Sequence, residues 1–130
     1  MTVLNPLHPK PSSRTYCSVD MTTNAAGTSD VVNITGLTLS SIQMSTGWDA
    51  ANIGFNGNVD GSTNYYPVYD VNGNFLTYPA SASRIIAFDP AVFSGLQVIQ
   101  LVSESSAGVA VAQTAGRTIK LGLSEYVEAN

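Results

Sequence analysis

Apolar and polar residues alternate with a period of two along most of this chain, and that rhythm constrains the fold more than any other feature. In "RTIKLGL" (117–123), Ile119, Leu121 and Leu123 alternate with Thr118 and Lys120. In residues 14–21, Thr15, Cys17, Val19 and Met21 alternate with Arg14, Tyr16, Ser18 and Asp20. Side chains on a strand point to opposite faces in turn, so this pattern predicts half-buried strands with one wet face. Further strands are expected at 31–35, 37–44, 51–57, 64–71, 84–88 and 96–103, with a weaker one at 109–113. The run "LQVIQLVS" (96–103) is apolar on both faces and reads as a central strand. In "LTLSSIQM" the apolar positions move from odd (37, 39) to even (42, 44), which predicts a bulge near Ser40 and Ser41.

The breaks between these strands carry turn chemistry. "NAAGTSD" (24–30), Gly36, "VNGN" (71–74) and "ESSAG" (104–108) read as turns or breaks, and "STGWDAA" (45–51) as a loop. Pro67 confines 64–71 to a sheet edge or a bulge. One helical turn is expected at about 89–94, with Asp89 as N-cap, Pro90 at the first position and Gly95 as the left-handed stop. Short strands with a turn signal every 8–12 residues predict an all-β chain. The expected architecture is one antiparallel β-sandwich or jelly-roll-like domain over 15–123. An extended Pro-rich arm (1–14) precedes it and a polar tail (124–130) follows.

The segment "NGNVDG" (56–61) raises a choice between a metal loop and a hairpin. Asn56, Asn58 and Asp60 stand where a calcium loop places its first three oxygens, and Gly61 where it places glycine. Such a loop also needs a glutamate at its twelfth position, where this chain has Pro67, and flanking helices in place of strands. The three residues are weak metal candidates. The hairpin is preferred, with Asp60-Gly61 supplying the positive φ of a primed turn.

Composition narrows the chemistry further. Charged residues are only 11% of the 130, against about 25% in typical soluble domains. A polar surface built from Ser, Thr, Asn and Gln is easily desolvated, which suits burial in an assembly. The net charge of −4 and five dispersed basic residues argue against nucleic-acid binding. Cys17 is the only cysteine and His8 the only histidine, so neither a disulfide within the chain nor a Ser-His-Asp or Cys-His arrangement is expected. Asp49, Asp60, Asp70, Asp89 and Glu104 fall in turns or at caps, each with a structural role. The chain is read as a non-enzyme without cofactor. No apolar run is long enough to span a membrane, and "MTVLNPLHPKPSSR" has no secretory pattern, so synthesis in a cytoplasm is expected. In the arm, Pro6, Pro9 and Pro11 enforce extended chain while Val3, Leu4 and Leu7 are costly to expose. An arm docking on a neighbouring subunit or partner is expected.

Residues 28–121 resemble a family of small tailed-bacteriophage virion structural proteins. The resemblance lies in "TSDVVNITGLTLSSIQM", "WDAANIGFNGNVDGSTNYYPVYD", "RIIAFDPAVFSGLQVIQLVS" and "RTIKL". Its marker residues are Trp48, Ala51, Phe55, Asp60, Gly61, Asp89, Pro90, Phe93 and Gly95. The hairpin around Asp60-Gly61 also looks like that of galactose-binding-like sandwiches, although Asn58 stands near the place where those often have serine. The virion resemblance implies a capsid cement or decoration protein, made in the bacterial cytoplasm and located on the outer capsid surface. Its partners would be the major capsid protein and itself, as a dimer or trimer. The alternatives are a tail, baseplate or head-fibre module touching the host, or a carbohydrate-binding module. In the last, Trp48, Tyr65, Tyr66, Tyr69 and Tyr78 would stack on a host-surface glycan.

Overall fold

The structure, a computed structural model, describes residues 14–125. Nine strands form it: β1 (Arg14–Met21), β2 (Thr28–Asn33), β3 (Thr38–Gln43), β4 (Ala51–Asn58), β5 (Tyr66–Pro67), β6 (Thr77–Ala80), β7 (Ile85–Ala87), β8 (Val98–Glu104) and β9 (Arg117–Ser124). All pairings between them are antiparallel. The order β5-β4-β8-β2-β1-β9-β3-β7, with β6 beside β5 on β4, makes one sheet that curls over a single core. This is the all-β, sandwich-like architecture that the alternation predicts.

The curl turns at β2. Its first residues touch β1 through one pair, Met21 opposite Ser29, and its remainder pairs with β8. The register slips between Thr28 and Val31, and there the Ser29 hydroxyl accepts the Leu101 N–H at 2.9 Å in place of a ladder partner. A strand that changes sheets needs such an irregularity, because a regular ladder would keep the sheet flat. The expected turn at 24–30 therefore ends at Gly27, and Thr28 already belongs to β2. Thr28 and Ser29 stand among Asn24, Gly27 and Asp30, whose turn chemistry masks the start of the strand.

The core lies between the two halves of the curled sheet. Val19 and Met21 of β1, Ile119, Leu121 and Leu123 of β9, and Leu39 and Ile42 of β3 face Ile53 and Phe55 of β4 and Ile99 and Leu101 of β8. The bulge predicted in β3 is present. Leu39 pairs with Leu123 and Ser41 with Gly122, which leaves Ser40 over and lets Ile42 point inward. At one end, Phe55, Phe88, Phe93 and Tyr78 meet edge to face, with Phe55 and Phe93 centroids 4.9 Å apart. Each such pair adds about 0.5–1.5 kcal/mol beyond the burial itself. Phe93 reaches this cluster from a 3-10 turn, Pro90–Phe93, whose first free N–H, that of Ala91, is capped by the Asp89 carboxylate. Gly95 is not left-handed; Ser94 ends the turn with helical φ, so the expected glycine stop is absent.

Two other expectations are corrected, and one strand was not expected. The return strand expected at 64–71 shrinks to Tyr66–Pro67, followed by a bridge between Tyr69 and Phe75. Residues 109–113 form no strand, only a bridge from Ala110 to Glu104. Strand β6 carried no expectation, because Pro79 interrupts its signal. It lies on the edge of β4, where a proline costs no ladder bond.

Candidate functional site

The sequence singled out residues that the fold scatters. The arm residues Val3, Leu4, Pro6, Leu7, Pro9 and Pro11 lie outside the described residues. Asn56, Asn58 and Asp60 do not converge. The Asn56 amide donates to Gln100 Oε1 at 3.2 Å on the outward face of β4 and β8. Asn58 is buried at the root of the loop, where its amide donates to Ser62 O at 2.8 Å and Asn64 O at 3.1 Å. Its Oδ1 accepts the Gly61 N–H at 3.0 Å. Asp60 is exposed and its carboxylate accepts the Ser62 N–H at 3.0 Å. The loop between β4 and β5 thus runs through seven residues, 59–65, organised by one asparagine, and is not a two-residue primed turn. Only Gly61 takes positive φ, +74°. No group of three His, Cys, Asp or Glu side chains is placed to hold a metal among the described residues.

The aromatic residues proposed for stacking are dispersed too. Trp48 is only 6% exposed, with its indole N–H donated to Ala51 O at 3.1 Å, at the edge of a groove that contains none of the tyrosines. Tyr78 packs against Phe55 and Phe88, while Tyr66 and Tyr69 are exposed at different grooves. Cys17 points towards the core, and burial pushes its thiol pKa up, which disfavours the reactive thiolate.

Four of the five acids read as structural are so placed. Asp60, Asp70 and Asp89 accept backbone N–H groups of their own turns. Asp49 instead ties two distant segments. Its carboxylate accepts Thr114 N–H at 2.6 Å, the Thr114 hydroxyl at 2.8 Å and Arg117 Nη2 at 3.1 Å. The buried Gln113 side chain beside it accepts from Asp49 N–H at 2.8 Å and donates to the Ser103 hydroxyl at 3.0 Å. Glu104 departs from the expected turn role. It is the last residue of β8, only 3% exposed, and its Oε2 has no hydrogen-bond partner among the described residues.

Two surfaces bear most on function. One is the outward face of β1, β9, β3 and β7. The registers put Tyr16, Gly122, Ser41 and Ala87 in one row across it, and Ser18, Lys120, Gln43 and Ile85 in the next. Tyr16 and Ile85 are each 69% exposed and border a groove of about 290 Å³ floored by Gly122. The charged groups on this face are Arg14, Asp20 and Lys120, and the Asp20 carboxylate accepts the Thr118 hydroxyl. The chain enters the described fold at Arg14, on the rim of this face. The other surface is a groove of about 650 Å³ on the outward side of β4 and β8, between the 69–75 hairpin and the 105–110 loop, with Glu104 on its floor.

No protein family, no curated protein and no solved structure matches this chain.

Proposed function

We propose that this protein is a structural component of a bacteriophage virion, a cement or decoration protein that binds the assembled shell of major capsid protein. The motif resemblance set out above supports the phage setting. One structural observation supports docking on a protein surface: the outward face of β1, β9, β3 and β7 exposes Tyr16 and Ile85 beside Ser18, Ser41, Gln43, Ala87 and Gly122, with only Arg14, Asp20 and Lys120 charged. Such a face loses little hydration when covered, and its aromatic residue has few rotamers to freeze. The segment before Arg14 contains Val3, Leu4 and Leu7, the apolar residues that the sequence offers for docking on the shell. A protein that binds the assembled shell and not its free subunits shifts the equilibrium towards the shell by mass action.

The test is compositional and then mutational. Virions are separated into DNA-filled heads and tails, and the protein is quantified in each by gel densitometry. The expected result is recovery with heads in a fixed ratio to the major capsid protein. Recovery with tails only, in a few copies, rejects the cement function. On isolated heads, Tyr16→Asp and Ile85→Asp are each expected to weaken rebinding about tenfold or more, a loss of roughly 1.4 kcal/mol. Rebinding at native affinity by both variants rejects this face as the docking surface.

A further inference from the structure

The groove over β4 and β8 holds one acidic side chain that no basic residue pairs with among the described residues. Glu104 lies on its floor; the Thr77 hydroxyl is near its carboxyl, and its Oε2 has no hydrogen-bond partner among the described residues. Space for the carboxylate exists only because position 54 is glycine; a side-chain carbon there would collide with both Glu104 oxygens. Arg14, Arg84, Arg117 and Lys120 are the basic residues among those described, and none lines the groove. One wall is the hairpin carrying Tyr69 and Phe75, whose rings meet edge to face at 5.6 Å. Opposite stands Gly108, where an added carbon would lie 3.1 Å from the Phe75 ring. A buried carboxylate is costly without a partner, and the partner it favours is a cation. The aromatic wall adds a preference for a cation on an apolar stem.

The choice of cation follows from the donor set. A single carboxylate with no second acid, histidine or cysteine in a ligating group is a poor metal site. Glu104 Oε2 is shut off from solvent, so at most one carboxylate oxygen faces the groove; a guanidinium presents a planar fork that wants both, whereas one oxygen suits the point charge of an ammonium. We propose that this groove binds a primary alkylammonium group, with the ammonium on Glu104 and the alkyl stem along Tyr69 and Phe75. The assignment is independent of the shell-binding function. The ammonium belongs either to a small amine or to a lysine side chain of a protein.

The experiment titrates the full chain with n-pentylammonium, with n-pentanol as the uncharged control. Binding is followed by NMR at the Glu104 side-chain carboxyl carbon and the Phe75 ring. Saturation at one site is expected, with a Kd on the order of 1 mM for so small a probe. Pentanol and the variant Glu104→Gln are each expected to bind at least tenfold more weakly. Tyr69→Ala, at an exposed position on the rim, gives a second test that leaves the buried floor intact, and severalfold weaker binding is expected. Absence of saturation, or native affinity in both variants, overturns the assignment. Nα-acetyl-lysine methylamide distinguishes the sources: tighter binding than pentylammonium identifies a protein lysine, and weaker binding identifies a free amine. Either result upholds ammonium recognition.

Discussion

Arg117 meets Asp49 at 3.1 Å, which fastens the first residue of β9 to the loop before β4. The Thr114 backbone N–H and hydroxyl, followed by the guanidinium, hold the Asp49 carboxyl below its ordinary pKa. A carboxylate depressed in the folded state stabilises it above the unfolded value, and that stability is lost as pH falls through the folded value. Asp49→Asn is therefore expected to lower Tm at pH 7. The gap between variant and native protein should close as the pH drops below about 4. Thermal melts from pH 3 to pH 7 check this; a gap independent of pH contradicts it.

Glu104 carries the opposite sign. Burial raises its pKa, partly offset by the Thr77 hydroxyl nearby. The contribution of a raised carboxyl is complete below the unfolded pKa and is lost as pH rises through the folded one. Urea midpoints are expected to be similar for native protein and Glu104→Gln at pH 4. At pH 8 the variant should be the more resistant, since it no longer buries a charge. A variant that is less stable at both pH values contradicts this.

Gly54 and Glu104 form a testable couple. Gly54→Ala alone is expected to cost about 1–3 kcal/mol, the usual range for overpacking. In a Glu104→Ala background the same substitution should cost far less, because the carboxylate it displaces is gone. A double-mutant cycle by urea denaturation measures the coupling. Additive effects rule out the close contact.

Asn58 closes the loop that follows β4. Asn58→Ala removes the amide donor of Ser62 O and Asn64 O and the acceptor of Gly61 N–H, and should cost about 1–3 kcal/mol. Hydrogen exchange at Gly61 is expected to accelerate in the same variant. Asp60→Ala, at an exposed residue, should cost little by comparison.

Much of the fold was legible because alternation depends on burial, and burial here follows the sheet. The phase change at Ser40 and Ser41 located the bulge, since a strand cannot otherwise turn both Leu39 and Ile42 inward. Elements held by distant partners were not legible. Thr28 and Ser29 become strand by pairing with Val102 and Met21, and Pro79 by lying opposite Asn52. Glu104 was hidden by its own charge, which reads as solvent-facing after an apolar run. The available signal lay elsewhere, in the glycine at 54 that leaves an outward position of β4 without a side chain.

Arg14 lies opposite Ser124, so the chain enters and leaves the sandwich at one corner, on neighbouring strands. A force applied through both flanks would load the β1–β9 ladder one pair at a time, peeling it from the corner rather than shearing all its bonds together. In mechanical terms, the domain resists compression by its core but opens readily when its two ends are drawn apart. Stretching by its ends should therefore open it at low force.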